Sequence, residues 1–406
     1  MPNRLTDYNI LCLSSIDWDG EKERHQILME KFEELGLRIL FIENPGTRSA
    51  RFSKQDINKG LRRLKKIFQL SNKKLVRKVS DNIYVGTPFS IPLSNNIIIE
   101  KLNSLLYRWF IHRVIKNIKL TNIILWTYLP IKSIHDLADE LNHEILIYDC
   151  VAQFSSHNYA SPRIENLDYM MHKRANLVFV DAFNLFQKKK RLNKNIVQVP
   201  AGINHKYYSS FYKSEKIPAD IKNISSPIIG YIGSLHNWLD LKLIRFIAQS
   251  RPDYSIVLVG PAKVDLSLIQ NINNIYILGG REHHMLAQYI NTFDVCIIPY
   301  AIEEYTKYVF PTKVFEYLAL GKPIVSTALP EILNYEEFNN IISIAYDNKQ
   351  FLSLLNQEIE MNNEQKIIKR IEISKNNSWD KRFSTMLSSI QFHLKNDFIN
   401  WFTLLT

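Results

Sequence analysis

Pro311-Thr312-Lys313 stands directly before an apolar stretch, and Glu316 follows three residues later. Proline suits the start of a helix and Gly321 the position just past its end, so residues 312–320 read as a capped helix of about two to three turns. Such a start offers unpaired backbone N–H groups and the positive end of a dipole. A lysine in that first turn opposes the dipole unless an anion sits there too. A diphosphate would resolve the conflict, held by the N–H groups of Thr312 and Lys313 and by the Lys313 ammonium. Glu316 lies on the same face, where a carboxylate can accept both hydroxyls of a ribose. The competing reading is a local Lys313–Glu316 pair on an ordinary amphipathic helix.

The elements around this motif fit a ligand site. β-type runs alternate with helical stretches along the whole chain, predicting an α/β protein with parallel sheets covered by helices. The first half has runs at 9–16, 37–43, 82–86, 122–127, 144–149, 176–181 and 196–200; the second has them at 227–234, 254–260, 274–280, 293–300 and 322–327. In the second series Gly233-Ser234 follows one strand, Gly260-Pro261 the next and Gly279-Gly280-Arg281 the third. Tyr300, Glu303, Glu304, Tyr305 and Thr306 follow the fourth. Open α/β sheets bind ligands at these carboxyl ends, and glycine there lets the backbone approach a ligand closely.

At 406 residues the chain has room for two domains. The expected division is a Rossmann-like domain over 1–205, a polar linker over 206–226, a second Rossmann-like domain over 227–377, and a closing helix over 378–406 returning toward the first domain. The sequence EYTKYVFPTKVFEYLALGKPIVSTALPEI, with GYIGSLHNWLDL and VLVGP upstream, resembles the nucleotide-binding domain of bacterial family 4 glycosyltransferases and their GT-B relatives. The resemblance extends to SSIDWDGEKERHQ, LFIENPGTR, ILWTYLP and IYDC, and ends near NSWDKRF. It implies a GT-B fold, two Rossmann-like domains with parallel sheets facing across a cleft. It also implies transfer of a sugar from a nucleotide donor to a lipid-linked or growing glycan acceptor in surface polysaccharide synthesis, with retention of configuration.

Carried over by position, the resemblance puts Glu316 on the donor ribose, Pro311, Thr312 and Lys313 around the diphosphate, and Arg281 beside the base. Gly233, Ser234 and Gly260 border the diphosphate, and Glu304, Tyr305 and Thr306 face the transferred sugar. Uridine is the default base, and neither metal nor cofactor is called for. Many family members carry two glutamates eight positions apart; here the earlier position is Tyr308, with Glu304 nearby as a replacement. On the acceptor side, Gly20 gives the backbone room while Arg24 and His25 point into the cleft. His25, Asp19 or Asp149 could act as a base in an inverting reaction and would only position substrates in a retaining one; for His25 a purely structural role stands beside the catalytic one.

Other features carry blander readings. Asp17-x-Asp19 marks a helix start rather than a metal motif, and His283-His284 point in different directions on a helix. Lys188 to Arg191 reads as a solvated basic helix face. Cys12, Cys150 and Cys296 lie in or just after apolar runs and read as small core residues.

The net charge is +11, and residues 48–78 hold twelve Lys or Arg against one acid, Asp56. Within that tract Ile57, Leu61, Leu64 and Phe68 share a helical face flanked by bases. Such a helix suits either an anionic membrane surface or ordinary packing on its own domain. With no apolar run of membrane-spanning length and no signal-peptide core, the expected location is cytoplasmic, peripheral at the inner membrane face. Two other functions remain open: a nucleotide-sugar 2-epimerase of the same fold, and a DNA-glucosylating or DNA-binding protein. The basic tract interleaves only Phe52 and Phe68, which weighs against nucleic acid.

Overall fold

The computed structural model describes residues 4–20, 22–45, 76–88, 97–151 and 163–394. Most of the basic 48–78 tract, with its expected membrane-facing helix, lies outside them. The chain divides into two units: Met1–Asp181, Leu185–Val199 and Phe383–Thr406 form the first; Ala182–Asn184 and Pro200–Arg382 form the second.

The first unit is built on eight strands: β1 (Asn9–Leu13), β2 (Arg38–Ile42), β3 (Arg77–Lys78), β4 (Ile83–Gly86), β5 (Ile123–Thr127), β6 (Ile145–Cys150), β7 (Leu177–Val180) and β8 (Ile196–Gln198). Their order is β3-β4-β2-β1-β5-β6-β7-β8, parallel throughout except for the short edge strand β3. The central strands are continuous apolar runs because helices cover both faces of a parallel sheet. Leu11, Cys12, Ile124 and Leu125 are fully buried. Chain order reverses between β1 and β5, whose register pairs Cys12 with Trp126.

In the second unit, β9 (Ile228–Ile232), β10 (Ser255–Val259), β11 (Ile275–Gly279), β12 (Val295–Ile298), β13 (Ile324–Thr327) and β14 (Ile342–Ala345) form an all-parallel sheet of order β11-β10-β9-β12-β13-β14. This is the doubly wound order in which β9 and β12 flank the point of reversal. One core runs through the unit, from Tyr208 and Ile221 to Phe351 and Leu355.

The expected linker is a correction. Residues from Pro200 onward belong to the second unit, because Tyr208 and Ile221 are buried in its core and the segment carries its own short helix, His205–Ser209. The chain passes from one unit to the other at Val199–Pro200 instead. Two strands were not anticipated: β3 is only two residues long, and β14 alternates isoleucine with small residues. The closing helix spans Trp379–His393, with residues from Phe383 onward counted in the first unit.

Candidate functional site

In the second unit the helix at the Pro-Thr-Lys motif runs from Lys313 to Ala319, with Thr312 as its N-cap and Gly321 at φ +68° just beyond its end. It is fixed to the sheet by the Tyr317 hydroxyl, which accepts from the Ile232 N–H at 2.9 Å. The Ser374 hydroxyl donates to the Phe315 carbonyl at 3.2 Å from the other side. The first of these contacts holds the helix against the carboxyl end of β9.

Two glycines shape the floor beneath that turn. Gly233 has φ +130° and Gly260 φ +157°, where a side chain is strained. A β-carbon on Gly260 would fall 2.0 Å from the Gly233 carbonyl oxygen, so the loops after β9 and β10 touch backbone to backbone.

Lys313 reaches back over this floor. Its ammonium donates to the Tyr300 hydroxyl and lies 5.3 Å from the Tyr231 ring centroid and 5.0 Å from that of Tyr300. Burial, and then the neighbouring Tyr300, pushes the Tyr231 phenol well up, so it stays neutral and supplies no counter-charge. Lys313 makes no ion pair among the described residues, and the local Lys313–Glu316 pair is not formed. A cation walled by tyrosine rings, at the positive end of a helix and against Gly233, is an arrangement that an anion completes. Glu316 lies one turn further along, half-buried.

The other expected donor residues hold varied positions. Arg281 follows β11 and is engaged with its own unit: it donates to the Tyr289 hydroxyl at 2.9 Å and pairs with Asp220 at 2.5 Å. Ser234 offers its carbonyl to the Tyr231 hydroxyl at 3.3 Å. Thr306 is buried and its hydroxyl serves its own loop, donating to the Ala301 carbonyl and accepting from the Glu303 N–H, both at 2.8 Å. Glu304 is exposed and pairs with Lys307 at 3.0 Å. Tyr305 stacks on Trp238, which stacks in turn on His236, joining the loops after β9 and β12. Pro311 is buried and Thr312 exposed.

The first unit requires corrections. Arg24 and Asp149 are not presented to a ligand: they form a buried pair, with Arg24 Nε at 3.1 and 3.0 Å from the two carboxylate oxygens. Arg24 also donates to the Val199 carbonyl at 2.8 Å. The pair unites residues 125 positions apart, with Asp149 in an otherwise apolar strand. His25 is likewise buried, 2.9 Å from the Ser15 hydroxyl and packed on Tyr128 with ring centroids 3.6 Å apart. Burial, and then the Arg24 charge, lowers its pKa to about 3, which makes it a weak base. Asp19 is exposed and paired with Arg77 at 2.7 Å, beside Gly20 at φ +145°.

Lys189 is no solvated face residue either: it is buried and pairs with Asp168, which also accepts from the Tyr148 hydroxyl at 2.7 Å. Cys150, Asp168 and His172 come within metal-ligand distance of one another there, with the Lys189 ammonium already at the carboxylate.

Two units, each built on a parallel sheet with a reversal of strand order, are the elements of the GT-B fold. Residues 226–357, which hold the Lys313 site, match the family model described as "Glycosyl transferases group 1". A Bacillus subtilis (strain 168) protein named as a teichuronic acid biosynthesis glycosyltransferase, TuaH, is 35% identical over 107 residues, 25% of this chain and 27% of that protein. The match thus spans about a quarter of the relative's length. Solved structures share the fold over nearly the whole chain. A glycosyltransferase from Rickettsia africae ESF-5 gives a TM-score of 0.66 at 17% identity, covering 96% of this chain and 99% of that one. Anabaena Alr3699/HepE, in complex with UDP and glucose, gives 0.62 at 13%, covering 95% and 99%.

Proposed function

We propose that this chain is a glycosyltransferase of surface polysaccharide synthesis. It takes a sugar from a nucleotide-diphosphate donor, UDP-linked by default, and passes it to a lipid-linked or growing glycan acceptor. The observation that carries this reading is the Lys313 ammonium, held against Gly233 without an acidic partner among the described residues. A diphosphate leaving group develops negative charge as the glycosidic bond breaks, and a preorganised cation stabilises that charge without reorganisation. Glu316 would hold the ribose and orient the donor. The match to the glycosyl transferases group 1 model over this segment, and the UDP held by a protein of the same fold, support the assignment.

Retention of configuration is part of the proposal. Inversion needs a general base on the acceptor hydroxyl, whereas Asp149 is sealed in its pair with Arg24, Asp19 is paired with Arg77 and His25 is a poor base. Metal independence is a further part, with Lys313 in the role of the neutralising cation, as is a cytoplasmic location.

The test is a thermal-shift panel of UDP, GDP and dTDP on wild type and on Lys313→Ala, since a ligand that binds only the folded state raises its melting temperature. One nucleotide should stabilise the wild type and leave the variant unmoved. If none stabilises the wild type, the donor reading fails. Activity that persists in a chelator would support metal independence, and its loss would overturn that part.

A further inference from the structure

The helix Ile97–Ile118 of the first unit is apolar on two opposite faces. Tyr107, Phe110, Ile111 and Val114 are buried in the unit. On the other side Ile98 (75% exposed), Leu102 (42%), Leu105 (56%) and Trp109 (56%) follow one another at helical spacing. An α-helix advances 100° per residue, so these four fall into one stripe along about 16 Å of its length. Large apolar side chains in a continuous exposed stripe mark an interaction surface.

The stripe's borders identify its partner. Lys101 flanks it on one side, Arg113 on the other, and Lys116 continues its line toward the helix end. Arg113 lies 5.5 Å from the Trp109 ring centroid, so a cation is held at the edge of the largest apolar side chain. The sole acid of the helix, Glu100, is paired with Arg163 at 3.6 Å, and Glu140 of the neighbouring helix, 3.6 Å from His112 at the stripe's edge, is paired with Arg108. No helix among the described residues is long and apolar enough to cross a membrane. Apolar side chains with an interfacial tryptophan and a basic border match a bilayer's acyl boundary and its anionic headgroups. A stable protein dimer buries about 800 Å² per partner, more than four partly exposed side chains supply.

We propose that the Leu102, Leu105 and Trp109 face of this helix docks the protein on an anionic lipid bilayer, with the apolar side chains entering the headgroup boundary and Lys101, Arg113 and Lys116 meeting the headgroup charge. The surface lies on a different segment from the basic 48–78 tract and does not depend on the donor site.

The experiment is flotation of the full chain with vesicles of phosphatidylcholine and phosphatidylglycerol in equal parts, compared with phosphatidylcholine alone. Wild type should float with the anionic vesicles. Leu105→Ser combined with Trp109→Ser should lower the bound fraction about tenfold or more, as expected for losing part of two large apolar contacts. Circular dichroism checks that the double variant is folded. Brominated lipids should quench wild-type fluorescence, and Trp109→Phe, which keeps an aromatic ring on the stripe, should float while losing that quenched component. The proposal is overturned if wild type does not float, or if the double variant floats as well as wild type. It is equally overturned if wild type is a dimer that the double variant turns into a monomer. Nucleotide-induced thermal shifts should be the same in all variants, so failure here is distinguishable from failure of the donor reading.

Discussion

The Lys313 side chain lies across Gly233: a β-carbon at Gly233 would stand 3.1 Å from Lys313 Cε and 3.4 Å from its Nζ. Gly233→Ala therefore inserts a methyl group where the ammonium sits, at a φ of +130°. The expected outcome is a loss of about 1–2 kcal/mol in stability, measured by urea unfolding, with nucleotide affinity reduced about tenfold or more by calorimetry.

Lys313→Ala removes the cation and leaves the fold nearly untouched, because its side-chain hydrogen bond is to a tyrosine hydroxyl at a half-buried position. Transfer activity should fall about 100-fold to 1,000-fold, the scale expected for removing one preorganised group that stabilises developing charge. Lys313→Arg, with a bulkier head, should recover only part of it. A radiochemical transfer assay with sugars carried on the nucleotide that stabilises the wild type reads both.

Glu316→Gln keeps the shape of the side chain but removes its charge. Hydrogen bonds to charged groups contribute about 1.5–3 kcal/mol, so nucleotide affinity should drop about 10-fold to 100-fold. The matching 2′-deoxynucleotide should bind the variant and the wild type with a smaller difference, which assigns the lost contact to the ribose.

Asp149→Ala leaves the Arg24 guanidinium buried without its counter-charge. The expected cost is about 3–5 kcal/mol in urea unfolding. Combining Arg24→Met with Asp149→Leu should restore most of it, since both charges are then gone together. Recovery would assign the pair to the architecture of the first unit, where its burial puts it.

His25 gives a pH signature. Its pKa falls from 6.5 to about 3 in the folded state, so folding excludes the proton. Its contribution is complete above about pH 6.5 and is lost as pH falls toward about 3, with a slope of about 1.4 kcal/mol per pH unit. His25→Gln removes this titration, and stability measured between about pH 6 and pH 4 should vary less steeply than in wild type.

The sheets were legible because parallel strands buried on both faces leave continuous apolar runs such as ILCL at 10–13 and IVLV at 256–259. β14 escaped because Ser343 interrupts a four-residue edge strand. The Pro-Thr-Lys helix could be read from its proline, its glycine and its out-of-place lysine, all local signals. Arg24–Asp149 and Lys189–Asp168 could not, since each joins distant positions and only tertiary packing decides whether a charge is solvated or paired. Asp149 did leave one trace, as the single charged residue of ILIYDC.

The last helix has a consequence for dividing the protein. Phe383, Met386 and Ile390 are buried in the first unit, where Phe383 lies 4.8 Å from the Phe32 ring and Arg24 Nη2 reaches Met386. A fragment expressed as residues 1–199 would expose Phe32 and the Arg24 surroundings to water, so the two halves are not separable as gene segments. Swapping the second unit for that of a relative means replacing residues 200–382 from within and keeping the native tail.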